Sequence, residues 1–246
     1  PRTDFTSQQL LDGSLPSCDT NNLIVCIDSR LIAGELKCIL SEIYGDDFFI
    51  DFYAEDAEGN GFSARFPLFE LDRQQFYNHT TSIFLKKVEL TEVYKYTEKH
   101  LLQITDILCG QNGCPWDSVQ THKSLRPYLI EEAYEVAEAI DKEDIYRLYD
   151  ELGDVLFQVV FHAQIGKKCS EFNFYDITDA ICRKMIRRHP SVFTACADTG
   201  NINDAWEEMK RKEKNLQSFN EIMEDVPQTL PALAYAEKIQ HKASKQ

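Results

Sequence analysis

No apolar run in the 246-residue sequence approaches the roughly 18–20 residues that a membrane-spanning helix needs, and no secretory signal opens it. Basic residues are also in the minority: 26 lysines and arginines stand against 41 aspartates and glutamates, so the net charge is −15. An acidic excess of this size repels phosphates and argues against a nucleic-acid or anionic-membrane binder. A small phosphorylated ligand is compatible with this acidic excess, provided that divalent cations bridge the acids to the phosphates.

The eight cysteines form no Cys-x-x-Cys pair and show no Cys/His spacing of the zinc-knuckle kind. In a chain of this size they indicate the reduced thiols of a cytoplasmic protein. The sequence begins with Pro1 rather than methionine, and it stops within a helical pattern. We therefore expect it to be part of a longer protein.

The first ninety residues combine short strand patterns with one helical pattern. Asn22–Asp28 reads as a buried strand, and Leu31–Tyr44 repeats apolar residues at helical spacing before Gly45, a plausible C-cap. Further strands are predicted, with a hairpin turn at residues 58–61, over Phe48–Tyr53, Phe62–Phe66 and Thr80–Leu85. A strand, a helix and then more strands predict a small α/β sandwich.

After about Val88 the strand pattern gives way to amphipathic helical segments with short connections. The predicted helices are Thr91–Leu108, His122–Ile140, Lys142–Gly166, Tyr175–Arg188, Asn203–Leu216 and Leu230–Ala243. Such a series predicts an all-α helical bundle. The fold class is therefore α+β, with domains expected at residues 1–90 and 91–246.

Carboxylates are concentrated on two consecutive predicted helices, with Glu131, Glu132 and Glu135 on the first and Glu151 and Asp154 on the second. Residues three or four apart share a helix face, and the intervening length lets the second helix return antiparallel to the first. Acids packed this closely repel one another unless a divalent cation binds them. Oxygen ligands favour Mg²⁺ or Mn²⁺, and a di-iron site would need a Glu-x-x-His motif that this sequence does not contain. Acid-rich helix faces are also often simply solvated, so both interpretations stay open from the residues alone.

Basic and aromatic residues follow at helical spacing. Lys184 and Arg188 lie one turn apart, as do Trp206 and Lys210. The cations are suited to holding phosphate oxygens and the indole to a nucleotide wall, although cations near a helix C-terminus and a core tryptophan are common alternatives. His162 falls one turn beyond Gln158 and is expected to serve packing or an interface.

The acidic pattern resembles the EExxE…ExxD signature of MazG-type nucleoside triphosphate pyrophosphohydrolases, and the resemblance spans about residues 91–246. Besides the signature, the blocks that carry it are Gly113–Asp117, Gln120–His122, Leu152–Gln158, Arg187–Phe193 and Trp206–Lys210. The first ninety residues resemble the C-terminal part of a tetrapyrrole (SAM-dependent) methylase domain, at Phe5–Gly13, Tyr44–Asp47 and Phe66–Asp72. The glycine-rich N-terminal half of that family is missing from this sequence, so no methyl transfer is expected from it.

The resemblance implies Mg²⁺-dependent hydrolysis of a nucleoside triphosphate (NTP or dNTP) to a nucleoside monophosphate and pyrophosphate. By matching positions, the metal ligands are Glu132, Glu135, Glu151 and Asp154, with Glu131 and Glu132 in the catalytic role. By the same matching, the substrate-binding residues are Lys184, Arg188, Trp206 and Lys210. Analogy also implies a homodimer.

A non-catalytic alternative also follows from the family pattern. Tyr128 stands where members often carry a basic residue, and larger members carry two MazG repeats that need not be equally active. This chain would then be a dimerisation or regulatory repeat of a larger methylase–MazG fusion.

Overall fold

The computed structural model describes residues 1–193, 209, 213 and 218–244. It divides the chain into two compact units, Pro1–His162 and Ala163–Gln246, and the division falls within a single long helix, Ile145–Cys169. The molecule is a mixed α+β protein whose strands all precede residue 86 among the described residues. The predicted class is confirmed at this level, whereas the methylase origin and the domain limit at residue 90 stay predictions.

One five-stranded sheet forms the β part of the first unit, in the order β1-β2-β5-β3-β4. Its strands are β1 (Arg2–Thr6), β2 (Asn21–Val25), β3 (Phe49–Glu55), β4 (Gly61–Pro67) and β5 (Ser82–Leu85). β1 pairs with β2 in parallel, and the other neighbouring strands are antiparallel. The predicted strands over residues 22–28, 48–53, 62–66 and 80–85 are thus confirmed with shifted ends. β1 was not predicted, because its sequence is mostly polar and it lies at the sheet edge.

Two helices accompany the sheet, α1 (Ser7–Leu11) and α2 (Arg30–Tyr44). The hydroxyl of Ser29 accepts a hydrogen bond from the backbone of Ile32 and begins α2. The helix ends at Gly45 as predicted, with φ +81°, and a Cβ there would lie 2.8 Å from the ring of Tyr94. The residues buried in the core between α2 and the sheet include Leu36, Leu40, Ile24, Ile50, Phe52 and Ile83.

The rest of the described chain is helical. The helices are α3 (Glu98–Leu108), α4 (Pro115–Ser118), α5 (His122–Asp141), α6 (Ile145–Cys169), α7 (Phe174–Arg188), α8 (Pro190–Phe193), α9 (Phe219–Glu224) and α10 (Ala232–Ser244), and 3₁₀ turns occupy Leu68–Arg73 and Leu90–Glu92. α3 begins seven residues later than the apolar spacing predicts, because Thr97 is extended (φ −118°, ψ 175°) and caps the helix. The predicted helix at residues 203–216 lies almost wholly outside the described residues. Within the described chain, no helix combines the length and the apolar composition required to cross a bilayer.

Replacing Phe52, which is fully buried in the sheet core, with alanine should destabilise the protein by about 3–5 kcal/mol through lost burial and a residual cavity. Phe49→Ala is the matched control, because this ring lies on the same strand with 53% exposure and alternate strand residues face opposite sides. Urea unfolding of the two variants measures the difference. Equal losses of stability would contradict the assigned core face.

Candidate metal centre

A short turn folds α5 and α6 back on each other in the first unit. Thr121 caps α5, its side chain accepting from the backbone of Ser124, and α5 ends at Asp141. Glu143 in the turn has φ +54°, in the left-handed region. The carboxylate of Asp144 then accepts a hydrogen bond from the backbone N–H of Arg147 at 3.0 Å and so caps the start of α6. This local chemistry makes two consecutive helices antiparallel neighbours.

Three predicted ligands meet between these helices. One carboxylate oxygen each from Glu132, Glu151 and Asp154 lies within 4.8 Å of the others. Glu135 follows one turn later on α5, and its charge is one of those that raise the pKa of Glu132. All four predicted ligands are therefore close together, and every donor atom is an oxygen, the type that Mg²⁺ and Mn²⁺ prefer.

Burial and crowding act on this cluster in the same direction. The pKa of Glu132 is raised, chiefly because burial penalises its charged form and further because Asp154, Glu135 and Glu151 repel that charge. A divalent cation would offset this repulsion, so the cluster favours cation binding.

Arg147 is a functional neighbour that the sequence analysis did not identify. Its Nε donates to Glu151 at 3.0 Å, and its Nη1 lies 2.9 Å from Glu138. Glu138 also accepts from Lys142 at 2.6 Å, and this hydrogen bond is the main cause of its lowered pKa. The i, i+4 spacing of Arg147 and Glu151 is the sequence feature from which this ion pair could have been predicted. The guanidinium orients one ligand of the cluster and links the two helices.

A second link lies at the other end of the helix pair. Nδ1 of His122 and Nδ1 of His162 are 2.7 Å apart, and their rings are nearly parallel, at 6°. One ring must donate and the other accept, so both cannot be charged in this geometry. The pKa of His162 is lowered by burial and then by the charge of His122. The structure thus makes His162 a link between helices, in keeping with the packing role expected of it.

The remaining predicted site residues have other surroundings. Glu131 is exposed on α5, about 100° around the helix from Glu132. Lys184 and Arg188 lie on α7 in the second unit, where Nε of Arg188 donates to Glu213 at 3.1 Å. This hydrogen bond is the main reason that the pKa of Glu213 falls to about 2.

Trp206 and Lys210 lie outside the described residues. That the α7 cations and the carboxylates share one substrate stays a prediction.

Large apolar side chains are exposed on α5 and α6 beside the cluster. Tyr146 is 86% exposed and Tyr149 77% exposed. Others on the same two helices are Tyr134, Ile140, Ile145, Leu152 and Leu156. Several large exposed side chains on two neighbouring helices are typical of a surface that another protein covers.

The comparisons with known proteins concern this same region. Residues 120–193 match the family model described as "MazG nucleotide pyrophosphohydrolase domain". The match includes all four carboxylates of the cluster together with Lys184 and Arg188. The family model thus supports the MazG part of the resemblance.

The chain is also similar to two full-length relatives and to one solved structure. "Uncharacterized protein YabN" of Bacillus subtilis is 39% identical over 239 residues, 94% of this chain and 49% of the relative. "Nucleoside triphosphate pyrophosphohydrolase" of Escherichia coli is 43% identical over 136 residues, 54% of this chain and 52% of the relative. The chain spans about half the length of these two proteins. A crystal structure of a mazG-related protein from Thermotoga maritima is 25% identical, covers 46% of this chain and 98% of its own, and superposes with a TM-score of 0.39.

Glu132→Gln should raise the thermal stability of the metal-free protein at neutral pH. The raised pKa means that the unliganded fold is more stable with Glu132 protonated, and this stability is lost as pH rises through the folded-state pKa. The amide mimics the protonated form, so its Tm advantage in chelator should shrink as pH falls. Glu131→Gln, on the exposed face, is the control and should leave Tm unchanged. A lower Tm for Glu132→Gln in chelator would contradict the assigned crowding.

Proposed function

We propose that this chain hydrolyses nucleoside triphosphates, ribo- or deoxyribo-, between the α- and β-phosphates to a nucleoside monophosphate and pyrophosphate. The observation that carries the proposal is the convergence of Glu132, Glu151 and Asp154 within 4.8 Å, inside the segment that matches the pyrophosphohydrolase family model. The printed name of the Escherichia coli relative supports the same reaction.

The donor set fits a hard divalent cation, and we assign Mg²⁺, with Mn²⁺ as the substitute, to Glu132, Glu135, Glu151 and Asp154. A cation bound there polarises the phosphoryl group and lowers the pKa of a coordinated water. Glu131, exposed one residue away from the cluster, assists by orienting that water or accepting its proton. Arg147 keeps Glu151 in place through its 3.0 Å hydrogen bond.

Cationic side chains on α7 provide the phosphate contacts in this proposal. Lys184 and Arg188, with Lys210 beyond them, neutralise charge on the triphosphate, and Trp206 contacts the nucleoside. Because Arg188 is bonded to Glu213, a phosphate must exchange with that carboxylate. The exchange is feasible because phosphate oxygens offer the guanidinium the same bidentate geometry.

We also propose the domain organisation inferred from the sequence. Residues 1–90 would derive from the C-terminal portion of a tetrapyrrole methylase-like domain, and residues 91–246 would form the pyrophosphohydrolase domain. The proposed limit lies after the last strand, which ends at Leu85, and before α3, which starts at Glu98, and it falls within the 3₁₀ turn Leu90–Glu92. We place the protein in the cytoplasm, in keeping with the reduced thiols that its sequence predicts.

A second copy of this chain is the proposed cover for the apolar faces of α5 and α6. Two such faces packed against each other would exclude water from Tyr146 and Tyr149 and from the walls of the acidic cluster. A drier surrounding strengthens the attraction between the cluster and a bound cation.

The second candidate function is a non-catalytic dimerisation or regulatory repeat. One observation favours it: the ring of Tyr128 contacts Trp116 edge-on, with centroids 5.9 Å apart. That position therefore makes an aromatic packing contact where family members often carry a cation. An assay of the chain separates the two functions.

The activity test uses the full chain with a panel of NTPs and dNTPs and Mg²⁺, with products resolved by phosphorus NMR. We expect monophosphate and pyrophosphate, and ¹⁸O-labelled water identifies the phosphorus attacked. Glu135→Gln and Asp154→Asn should each lose at least about 100-fold in kcat/KM, since even indirect ligand contacts cost 10–100-fold. Asp150→Asn, exposed on α6, is the control and should keep its activity. Orthophosphate as the sole phosphate product, or turnover that persists in chelator, would contradict the proposal, and a folded but inactive dimer would favour the alternative.

The proposed dimer predicts a mass of twice the 28.4 kDa chain by light scattering. Tyr149→Lys should convert it to a monomer, because an ammonium group cannot be buried without a partner in an apolar interface. Tyr175→Lys alters a tyrosine that is also exposed, at 68%, but on α7, and should leave the mass unchanged. A monomeric wild-type chain at micromolar concentration would exclude this interface.

A further inference from the structure

We propose a second metal site, for zinc, formed by Cys18, Asp19 and His100. Cys18 and Asp19 lie in the loop before β2, and His100 lies in the first turn of α3, 82 residues from Cys18. The site is separate from the acidic cluster and shares no residue with it. It would join the sheet-bearing segment to the first helix of the helical region.

The distances between donor atoms match tetrahedral zinc. Nε2 of His100 lies 3.5 Å from Sγ of Cys18 and 3.4 Å from Oδ1 of Asp19. With zinc–sulfur near 2.3 Å and zinc–nitrogen or zinc–oxygen near 2.0–2.1 Å, a tetrahedral angle gives about 3.5 Å and about 3.4 Å for these two separations. One ligand atom from each residue lies within 4.8 Å of the other two.

The donor chemistry selects zinc over the ions suited to the acidic cluster. A thiolate and an imidazole are softer ligands than carboxylates and favour zinc over Mg²⁺. Cys18 and His100 are buried, with 5% and 4% exposure, whereas the carboxylate of Asp19 is 40% exposed. A metal can therefore enter beside Asp19, and a water molecule completes the fourth position. Binding replaces the thiol proton of Cys18 by the metal and releases that proton to solvent.

The loop that carries two of the ligands is held rigidly. Asn22 is fully buried, and its side-chain Nδ2 donates to the backbone carbonyls of Ser17 and Thr20 at 2.7 and 2.8 Å. The carbonyl of Cys18 itself accepts from the backbone N–H of Val88 at 2.8 Å. These bonds orient the ligand backbone without using the three donor atoms.

The other nitrogen of His100 has a suitable partner. In this structure Nδ1 accepts a hydrogen bond from the backbone N–H of Thr97 at 2.9 Å, and it lies 3.0 Å from the hydroxyl oxygen of the same residue. With zinc on Nε2, the ring carries its proton on Nδ1 and donates it to the Thr97 hydroxyl, the usual outer support of a ligating histidine. This change of tautomer gives up the hydrogen bond from the Thr97 backbone N–H, and because Thr97 is exposed, water can take the place of Nδ1 as its acceptor.

The metal test uses the full chain, stripped with chelator and then dialysed against zinc. Elemental analysis should find the zinc content of the wild type lowered by one equivalent in Cys18→Ser and in His100→Gln. Cys38→Ser is the matched control, because that thiol is exposed, and it should keep the wild-type content. Thr97→Val should weaken zinc binding about 10–100-fold.

Cobalt(II) substitution identifies the ligands spectroscopically. The wild type should show a near-ultraviolet thiolate-to-cobalt band that Cys18→Ser lacks. The acidic cluster contributes no sulfur, so Asp154→Asn should keep the band even if it loses pyrophosphohydrolase activity. Circular dichroism verifies that each variant is folded. If Cys18→Ser unfolds, Asp19→Asn replaces it as the test variant, because Asp19 is the more exposed of the proposed ligands. Asp19→Asn should weaken cobalt binding at least 10-fold. A folded wild type without the band, or a band that survives in Cys18→Ser, would overturn the site and leave Cys18, Asp19 and His100 as hydrogen-bonded neighbours only.

Discussion

Repulsion among the carboxylates of Glu132, Glu151 and Asp154 is the constraint around which the α5–α6 pair is organised. Their oxygens lie within 4.8 Å, and burial adds to the cost of charging Glu132. Despite this cost, contacts at both ends hold the two helices together. At one end, about 15 Å along α5 from Glu132, His122 contacts His162. At the other end, near the turn, Arg147 pairs with Glu138. Two fixed ends keep the acids facing each other, so a bound cation would relieve the repulsion without separating the helices.

Features that depend on neighbouring residues were predictable from the sequence. The α5 and α7 helices match the predicted ranges to within one residue, because capping side chains such as Thr121 and Asn173 act within a few residues of the helix start. The i, i+3 spacing of Glu151 and Asp154 likewise predicted a shared face. Which acids meet across the helix pair then followed from the short turn after Asp141.

Features that depend on distant contacts were not predictable. The polar strand β1 is ordered by its parallel pairing with β2 and not by its own composition. The late start of α3 depends on Thr97 and the histidine it contacts, which apolar spacing does not reveal. Cys18 and His100 are in contact although 82 residues separate them, and a search for local Cys/His spacing cannot find such a pair. Spacing rules apply only where both partners lie on one element or on adjacent ones.

The two proposed metal sites differ in the softness of their donor atoms, and each therefore favours a different metal ion. The all-oxygen cluster suits a hard cation that exchanges with substrate, whereas the sulfur of buried Cys18 and the nitrogen of buried His100 favour a resident ion. Because zinc binds a site of given ligands more tightly than Mg²⁺, the acidic cluster alone would be open to the wrong metal. When zinc is scarce, the thiolate site in the same unit would fill with zinc first. It would thereby lower the competition of zinc with Mg²⁺ for the acidic cluster. The net charge of −15 thus reflects a surface that attracts cations generally, and donor chemistry decides where each one binds.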